Sequence, residues 1–258
     1  MAREREYNPN QLKNKIEKGG IGVIANGLNN AEICDFLGHV GFDAAFIDFE
    51  HGSVSWSELA DITRACELWG MSSLVRVNKL DEAQILRALD QGASTVMVPH
   101  VITLEDAKLA ASACKYPPSG IRGVAGSRRA YGVDDYFLQA NEQAQCIPLI
   151  EDFEAIENLP ELTKVEGIDI FYVAPSDMAA SMGHVGNPDH PEVQDAIKRA
   201  IDLIINGGGI AGTLVNDDNL ESFLSMGVRC VGVAWPLWIK KYGEAFIEQV
   251  QAYRRCKS

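Results

Sequence analysis

The segment Asp48-Phe49-Glu50-His51-Gly52 places two carboxylates and an imidazole directly behind an apolar run. Three more charged residues hold comparable positions. Arg76 lies within Ser73–Val77, Glu151 immediately follows Cys146–Ile150, and Asp177 follows Ile168–Val173 within Ala174-Pro175-Ser176-Asp177. Charges beside buried segments are costly unless paired, hydrogen-bonded or bound to a metal. Glu151 and Asp177 end successive β-like runs and could approach one cation. Two carboxylates without a neighbouring Cys favour a hard or borderline divalent ion, Mg²⁺, Mn²⁺ or Co²⁺. Such an ion keeps exchangeable waters, which the carboxylate and keto oxygen of a 2-oxo acid could replace together. The same two residues also read as a helix N-cap aspartate and a rim salt bridge. Arg76 carries a charge that persists at any working pH and suits a substrate oxyanion. His51, three residues beyond Asp48, could be held in one tautomer by that carboxylate for acid–base work near neutral pH. Among the other histidines, His39 and His184 read as helix or loop residues and His190 as part of a helix start before Pro191. His100, ending a fourth β-like run, is the second acid–base candidate.

These residues need a scaffold that brings strand ends together. Eight near-continuous apolar runs read as buried parallel strands: Ile21–Ala25, Ala44–Asp48, Ser73–Val77, Thr95–Val98, Cys146–Ile150, Ile168–Val173, Ile210–Leu214 and Cys230–Ala234. Helical patterns alternate with them at Ala31–Val40, Ser57–Trp69, Asp81–Gln91, Leu104–Cys114, Glu192–Asn206 and Asp218–Met226, with caps at Asn30, Ser57, Asp81, Thr103 and Asp217. The count predicts a single (β/α)₈ TIM barrel over residues 1–258, with function at the C-terminal ends of its strands. A doubly wound sheet is the competitor, but no GxGxxG follows the first strand, and Gly207-Gly208-Gly209 reads as a helix stop. Lys115–Tyr131 and Ala174–Pro191 are long and turn-rich, and both follow a βα unit. Trp238–Arg254 lines up Ile239, Tyr242, Phe246, Val250 and Tyr253 on one helical stripe, which needs a partner surface.

Composition sets the outer limits. Of 258 residues, 47% are hydrophobic and 23% charged, enough to bury a core without staples. A formal net charge of -13 repels nucleic-acid phosphates and anionic membranes, so neither is an expected partner. Cys34, Cys66, Cys114, Cys146, Cys230 and Cys256 are scattered without zinc-type spacing and read mostly as small buried hydrophobes. The charged N-terminal segment lacks the apolar core of a signal peptide, and no run is long enough to span a bilayer. A cytoplasmic protein is expected.

The runs Phe46–Gly52 (FIDFEHG), Leu74–Val77 (LVRV), Gly92–Val101, Tyr116–Val124 (YPPSGIRGV), Pro148–Leu162 and Val165–Val193 are similar, in order, to sequence blocks of the HpcH/HpaI aldolase family. The resemblance spans about residues 12–230, and its last long block is highly specific. It implies that Glu151 and Asp177 hold a divalent metal chelating pyruvate, that Arg76 stabilises the pyruvate enolate, and that His51, paired with Asp48, transfers protons. Backbone amides around Ala174, Pro175 and Ser176 would help to bind the 2-oxo acid carboxylate. It also implies hexamers, commonly with the terminal helix (about 238–255) exchanged between subunits, and reversible aldol cleavage of a 4-hydroxy-2-oxo acid to pyruvate and an aldehyde.

Physical chemistry agrees with that assignment. Retro-aldol cleavage leaves electrons on the carbon that becomes the pyruvate methyl, and these need a sink. A metal-polarised keto oxygen with a nearby arginine is one sink, and a lysine Schiff base is the other. Among the lysines only Lys79 lies near a strand end, in a turn that reads as a solvated helix start. The chain departs from the family around Gly22, at Leu149, in a shorter Gly123–Gly132 loop carrying Arg128 and Arg129, and at Val233-Ala234-Trp235-Pro236. These departures fall on the acceptor half and leave the aldehyde open. The alternatives are a citrate-forming condensing enzyme of the same family and a non-catalytic barrel. The intact set Glu151, Asp177, Arg76 and His51 speaks against the latter.

Overall fold

The computed structural model describes residues 3–255, so Cys256 lies outside the described residues. Eight parallel strands close into a barrel in chain order: β1 (Gly22–Asn26), β2 (Ala44–Asp48), β3 (Ser72–Arg76), β4 (Thr95–Val98), β5 (Gln145–Ile150), β6 (Ile170–Val173), β7 (Ile210–Val215) and β8 (Cys230–Ala234). All eight β-like runs become strands, those of β2, β4 and β8 with the expected ends and the others with an end shifted by one or two residues. The helices are α1 (Gln11–Glu17), α2 (Ala31–Val40), α3 (Trp56–Leu68), α4 (Glu82–Asp90), α5 (Leu104–Ala113), α6 (Tyr136–Gln143), α7 (Ala155–Leu162), α8 (Pro175–Ser181), α9 (Pro191–Asn206), α10 (Leu220–Ser225) and α11 (Trp235–Arg255).

Strand side chains alternate between two cores. Ile24, Ala44, Phe46, Leu74, Met97, Ile147, Leu149, Ile170, Tyr172 and Cys230 fill the lumen, and α1 closes its floor with Leu12 and Ile16. The intervening residues, such as Ala45, Ile47, Val75, Val96, Ile150, Phe171 and Val231, pack outward against the helices. Gly232 lacks a side chain where the Tyr172 hydroxyl crosses the lumen towards Asn26, so any Cβ there would collide with it.

The helix starts at Asn30, Asp81 and Thr103 are capped as expected, each side chain accepting an N–H of its first turn. Two caps differ. Ser55, not Ser57, starts α3 in a capping box with Glu58. Asn219, not Asp217, precedes α10, because the Asp217 carboxylate is drawn to Trp238 and Lys241 on α11. The stretch Ala174–Pro191 contains α8, whose Pro175 at the first helical position favours a start there. The C-terminal stripe is helical, and α11 meets the barrel at its start, where Trp235 packs on the core and Trp238 lies against Phe42 and Asp217. Leu237, Ile239, Tyr242, Phe246, Ile247 and Val250 are each about half exposed or more. Cys34, Cys66, Cys114, Cys146 and Cys230 are buried free thiols. Among the described residues no helix is long and apolar enough to cross a membrane.

Candidate active site

The alternation that fills the lumen also carries charge to its mouth. Asp48 follows Ala44 and Phe46 in phase on β2, Arg76 follows Ser72 and Leu74 on β3, and Glu151 follows Ile147 and Leu149 one residue past β5. Register then makes Asp48 and Arg76 direct neighbours across the β2–β3 ladder. Arg76 Nε donates to Asp48 Oδ1 at 2.9 Å and Nη2 to Oδ2 at 2.6 Å, a two-pronged pair. Nη1 stands 3.0 Å from Glu50 Oε2. Arg76 is only 8% exposed. Burial works against its charge, but the hydrogen bond and charge of Asp48, with Glu50 and Glu151 behind, raise its pKa further. Burial likewise pushes the Asp48 carboxyl upward, and the Arg76 bond and charge outweigh this and hold it below the usual range.

This pairing corrects the expected Asp48–His51 dyad. Asp48 touches His51 only through the backbone N–H, which donates to Oδ1 at 3.3 Å, as does that of Glu50 at 2.9 Å. The His51 side chain is 67% exposed, with Nε2 4.0 Å from Glu50. A desolvated guanidinium next door is a stronger claim on the carboxylate than a solvated imidazole. Glu50 is the residue that sequence reasoning passed over, although the period-two phase of Ala44, Phe46 and Asp48 points to it.

Glu151 is 2% exposed and its Oε1 accepts the His100 backbone N–H at 2.8 Å. Burial, with the nearby charges of Asp177 and Glu50, outweighs His100 and pushes its carboxyl up to about 7. The His100 ring lies over this carboxylate, with Nδ1 2.9 Å from Asp152 Oδ2 and 3.5 Å from Glu151 Oε1. The Asp152 hydrogen bond, opposed by burial and helped by Glu151, raises the His100 pKa. His100, Glu151 and Asp152 offer three ligand atoms mutually close enough for one cation. Asp177, half-buried in the first turn of α8, is near enough for its charge to act on Glu151 but lies outside that three-residue group.

The raised Glu151 pKa has a measurable consequence for metal-free protein. Its ordinary value is 4.5, so the neutral form is favoured by folding, and that contribution is complete below pH 4.5 and lost as pH rises through about 7. Glu151→Gln keeps the shape without the charge. It should therefore melt higher than wild type at pH 8, by several degrees for a penalty on the order of 3 kcal/mol, and nearly together with it at pH 4.5. Thermal melts of EDTA-treated proteins at the two pH values check this, and an equal offset at both would refute it.

A cavity of about 250 Å³ opens beside these groups, lined by Asp48, Arg76, Asp177, Ala174, Pro175 and Ser176 with Phe46, Met97, Leu149 and Tyr172. A larger cleft, about 990 Å³, runs along the outer wall between α5 and α7 and faces away from the strand tips. The cavity by the charged strand ends is the better site. Of the three residues expected to offer backbone amides, Ala174 has its N–H bound to the Ile150 carbonyl at 3.2 Å, and Pro175 has none. The N–H groups of Ser176 and Asp177, in the first turn of α8, have no intrahelical acceptor and remain for an anion.

Two supposed acceptor-side departures lie elsewhere. Gly22 sits at the floor against Leu12 and Ile16, and Arg128 and Arg129 turn beneath the barrel to Glu67, Thr63 and the Ala93 carbonyl. Leu149 does line the cavity. Lys79 is exposed and pairs with Asp81. Burial depresses the Lys115 pKa, but its amine donates to the carbonyls of Asn141 and Ala144 at the far end of α5.

The fold and its charged mouth define a (β/α)₈ barrel with an acidic strand-tip site around one arginine. Residues 24–236 match the family model described as HpcH/HpaI aldolase/citrate lyase, and the chain belongs to this family. It is 39% identical over 212 residues to a 4-hydroxy-2-oxo-heptane-1,7-dioate aldolase from Klebsiella pneumoniae, covering 80% of each chain. It is 38% identical to a 2-dehydro-3,6-dideoxy-6-sulfogluconate aldolase from Pseudomonas putida, covering 80% of this chain and 82% of the other. A family structure from Burkholderia cenocepacia superposes with a TM-score of 0.88 at 29% identity, covering 94% of this chain and 99% of that one.

Proposed function

We propose that the protein is a metal-dependent carbon–carbon lyase that reversibly cleaves a 4-hydroxy-2-oxo acid to pyruvate and an aldehyde. The observation that carries this reading is the nearly buried Glu151 carboxylate, one residue past the tip of β5 and close enough for its charge to act on the guanidinium of Arg76 that Asp48 clamps. Glu151 has one amide donor and an imidazole near it, and no Lys or Arg ion pair among the described residues. That donor set fits a divalent cation, with Asp177 as second carboxylate and Mg²⁺, Mn²⁺ or Co²⁺ as the ion. When bound, the ion supplies Lewis-acid polarisation and charge neutralisation to a 2-oxo acid.

This chain's residues do the rest. Cleavage breaks the bond between C3 and C4 as the 4-hydroxyl gives up its proton, and the electron pair spreads from C3 onto the C2 oxygen. Arg76 holds a fixed positive charge for that oxygen, preset by Asp48 and Glu50, so no reorganisation is needed as charge develops. The exposed His51 ring, not tied to Asp48, takes the 4-hydroxyl proton at the rim and returns a proton to C3, which turns the enolate into pyruvate. The Ser176 and Asp177 N–H groups receive the substrate carboxylate. The acceptor is an aldehyde, and Leu149 on the cavity wall bears on its choice.

The assay is a panel of aldehydes offered with pyruvate and Mn²⁺, with products read by mass spectrometry. Condensation should appear with at least one aldehyde. Citrate from acetyl-CoA and oxaloacetate, without aldol product, would instead mark a condensing enzyme.

We also read the working form as a cytoplasmic homo-oligomer, a hexamer. Ile239, Tyr242, Phe246 and Val250 on α11 stay about half exposed or more, and a second copy of the chain is the occupant that would bury them. Deleting Trp238 onward should give dissociated or aggregated protein in sedimentation runs. A well-behaved wild-type monomer at micromolar concentration would count decisively against this.

A further inference from the structure

We propose that Asn26 and Tyr172 form the acceptor end of the cavity and recognise a hydroxyl group on the aldehyde, so that the acceptor is a short, uncharged hydroxyaldehyde. The inference deepens the functional reading above and rests on it. In the closed barrel β1 lies across the lumen from β5. A 2-oxo acid held at Glu151 and Asp177 therefore extends its far end towards the wall formed by β1 and β8. Asn26 ends β1 and lines that wall with Gly27 and Leu214. Tyr172 starts from β6, but its hydroxyl crosses the lumen to the same place. A Cβ on Gly232 of β8 would collide with this hydroxyl and stand 2.9 Å from Asn26 Oδ1, so the two polar atoms converge on one point.

Both atoms lack something to bond. Tyr172 is 5% exposed, and neither its hydroxyl nor Asn26 Oδ1, each buried, has a hydrogen-bond partner among the described residues. Buried polar atoms are rarely left so in a folded core, and a pair of them on a cavity wall marks a place for a ligand to complete. Burial raises the Tyr172 pKa, and Asn26 beside it offsets this only in part, so the hydroxyl keeps its proton and donates. Asn26 Oδ1 can only accept. A substrate hydroxyl answers both, since it accepts from Tyr172 and donates to Asn26.

Other acceptor groups fit worse. A methyl group leaves both atoms unpaired. A carboxylate can accept from Tyr172 but sets its own lone pairs against Asn26 Oδ1. It also finds no counter-charge, because Arg76 is the one Lys or Arg among the described residues that line the cavity, and Asp48 and Glu50 engage it. A volume of about 250 Å³ keeps the acceptor short.

The test measures kcat/KM for condensation with pyruvate and saturating Mn²⁺. Glycolaldehyde and propanal match in size and differ by a hydroxyl for a methyl, and succinic semialdehyde carries an acid group. Wild type should prefer glycolaldehyde over each of the others on the order of 10–100-fold. Tyr172→Phe and Asn26→Ala should each shrink the preference over propanal about 10-fold, and the double variant little further, because both residues serve one hydroxyl. Tyr172→Phe should also melt no lower than wild type, since the hydroxyl it removes has no partner in the protein. Tyr172→Phe alone decides if Asn26→Ala does not fold. An unchanged preference in Tyr172→Phe, or a melting temperature several degrees below wild type, overturns the inference. If wild type condenses propanal or succinic semialdehyde as readily as glycolaldehyde, this inference falls and the functional reading stands. If no aldehyde condenses with pyruvate, both fall.

Discussion

Arg76→Ala should lower kcat/KM for aldol cleavage by at least about 10²–10³-fold, the usual cost of removing a preorganised charge from a developing oxyanion. Two nitrogens of the guanidinium are fixed on Asp48 and a third faces Glu50, which leaves further N–H donors of its five for the cavity it lines. Any oxaloacetate decarboxylation should disappear with it, because that reaction passes through the same enolate. The substitution also strips the counter-charge from Asp48 and Glu50, and breaking such a pair costs on the order of 3–5 kcal/mol. Stability and catalysis therefore need separating. Adding Asp48→Asn to Arg76→Ala removes one stranded charge and should raise the melting temperature without restoring turnover. Arg76→Lys keeps the charge but loses the planar fork, and should recover little. Near-wild-type turnover of folded Arg76→Ala under saturating metal would sink the assigned role.

The sequence showed the barrel because parallel strands buried on both faces read as apolar runs, and a barrel has eight of them. It was poorer where helix signals were broken. Pro160 interrupts the pattern of α7, α8 is short and opens on a proline, and α6 is an eight-residue helix shortly after the turn-rich Lys115–Tyr131 stretch. The site was legible through phase. Asp48, Arg76 and Glu151 each continue the lumen-facing alternation of their strand, which a charge in a core strand does only at a mouth. What misled was proximity along the chain. His51 lies three residues from Asp48, but a strand's nearest neighbour is the residue opposite in the ladder, and that is Arg76. The placement of the His100 ring could not be read from spacing, since it follows from one backbone angle and a contact with Glu151, just past the tip of β5. The α11 stripe was visible as an amphipathic pattern, but period alone does not say whether a helix folds back or projects.

Exhaustive chelation should abolish activity, and Mg²⁺, Mn²⁺ and Co²⁺ should each restore it to different extents, since each polarises a keto oxygen differently. The expectation rests on Glu151, whose burial raises its carboxyl to about 7, an energetic burden that a bound cation relieves. Binding should accordingly release a proton when measured below about pH 7, with affinity rising as pH increases through that value. Glu151→Gln and Asp177→Asn preserve size and hydrogen bonding but remove charge, and each should weaken metal binding on the order of 10–100-fold or more. The competing electron sink is an imine, and among the described residues that line the cavity none is a lysine. Lys79 is solvated and paired with Asp81, and Lys115 is tied to carbonyls at the opposite end of α5. Borohydride added with pyruvate should therefore leave the protein mass unchanged. Full activity in thoroughly metal-free enzyme, or a reduced pyruvyl adduct on Lys79, would falsify the metal mechanism and make Arg76 the partner of a lysine instead.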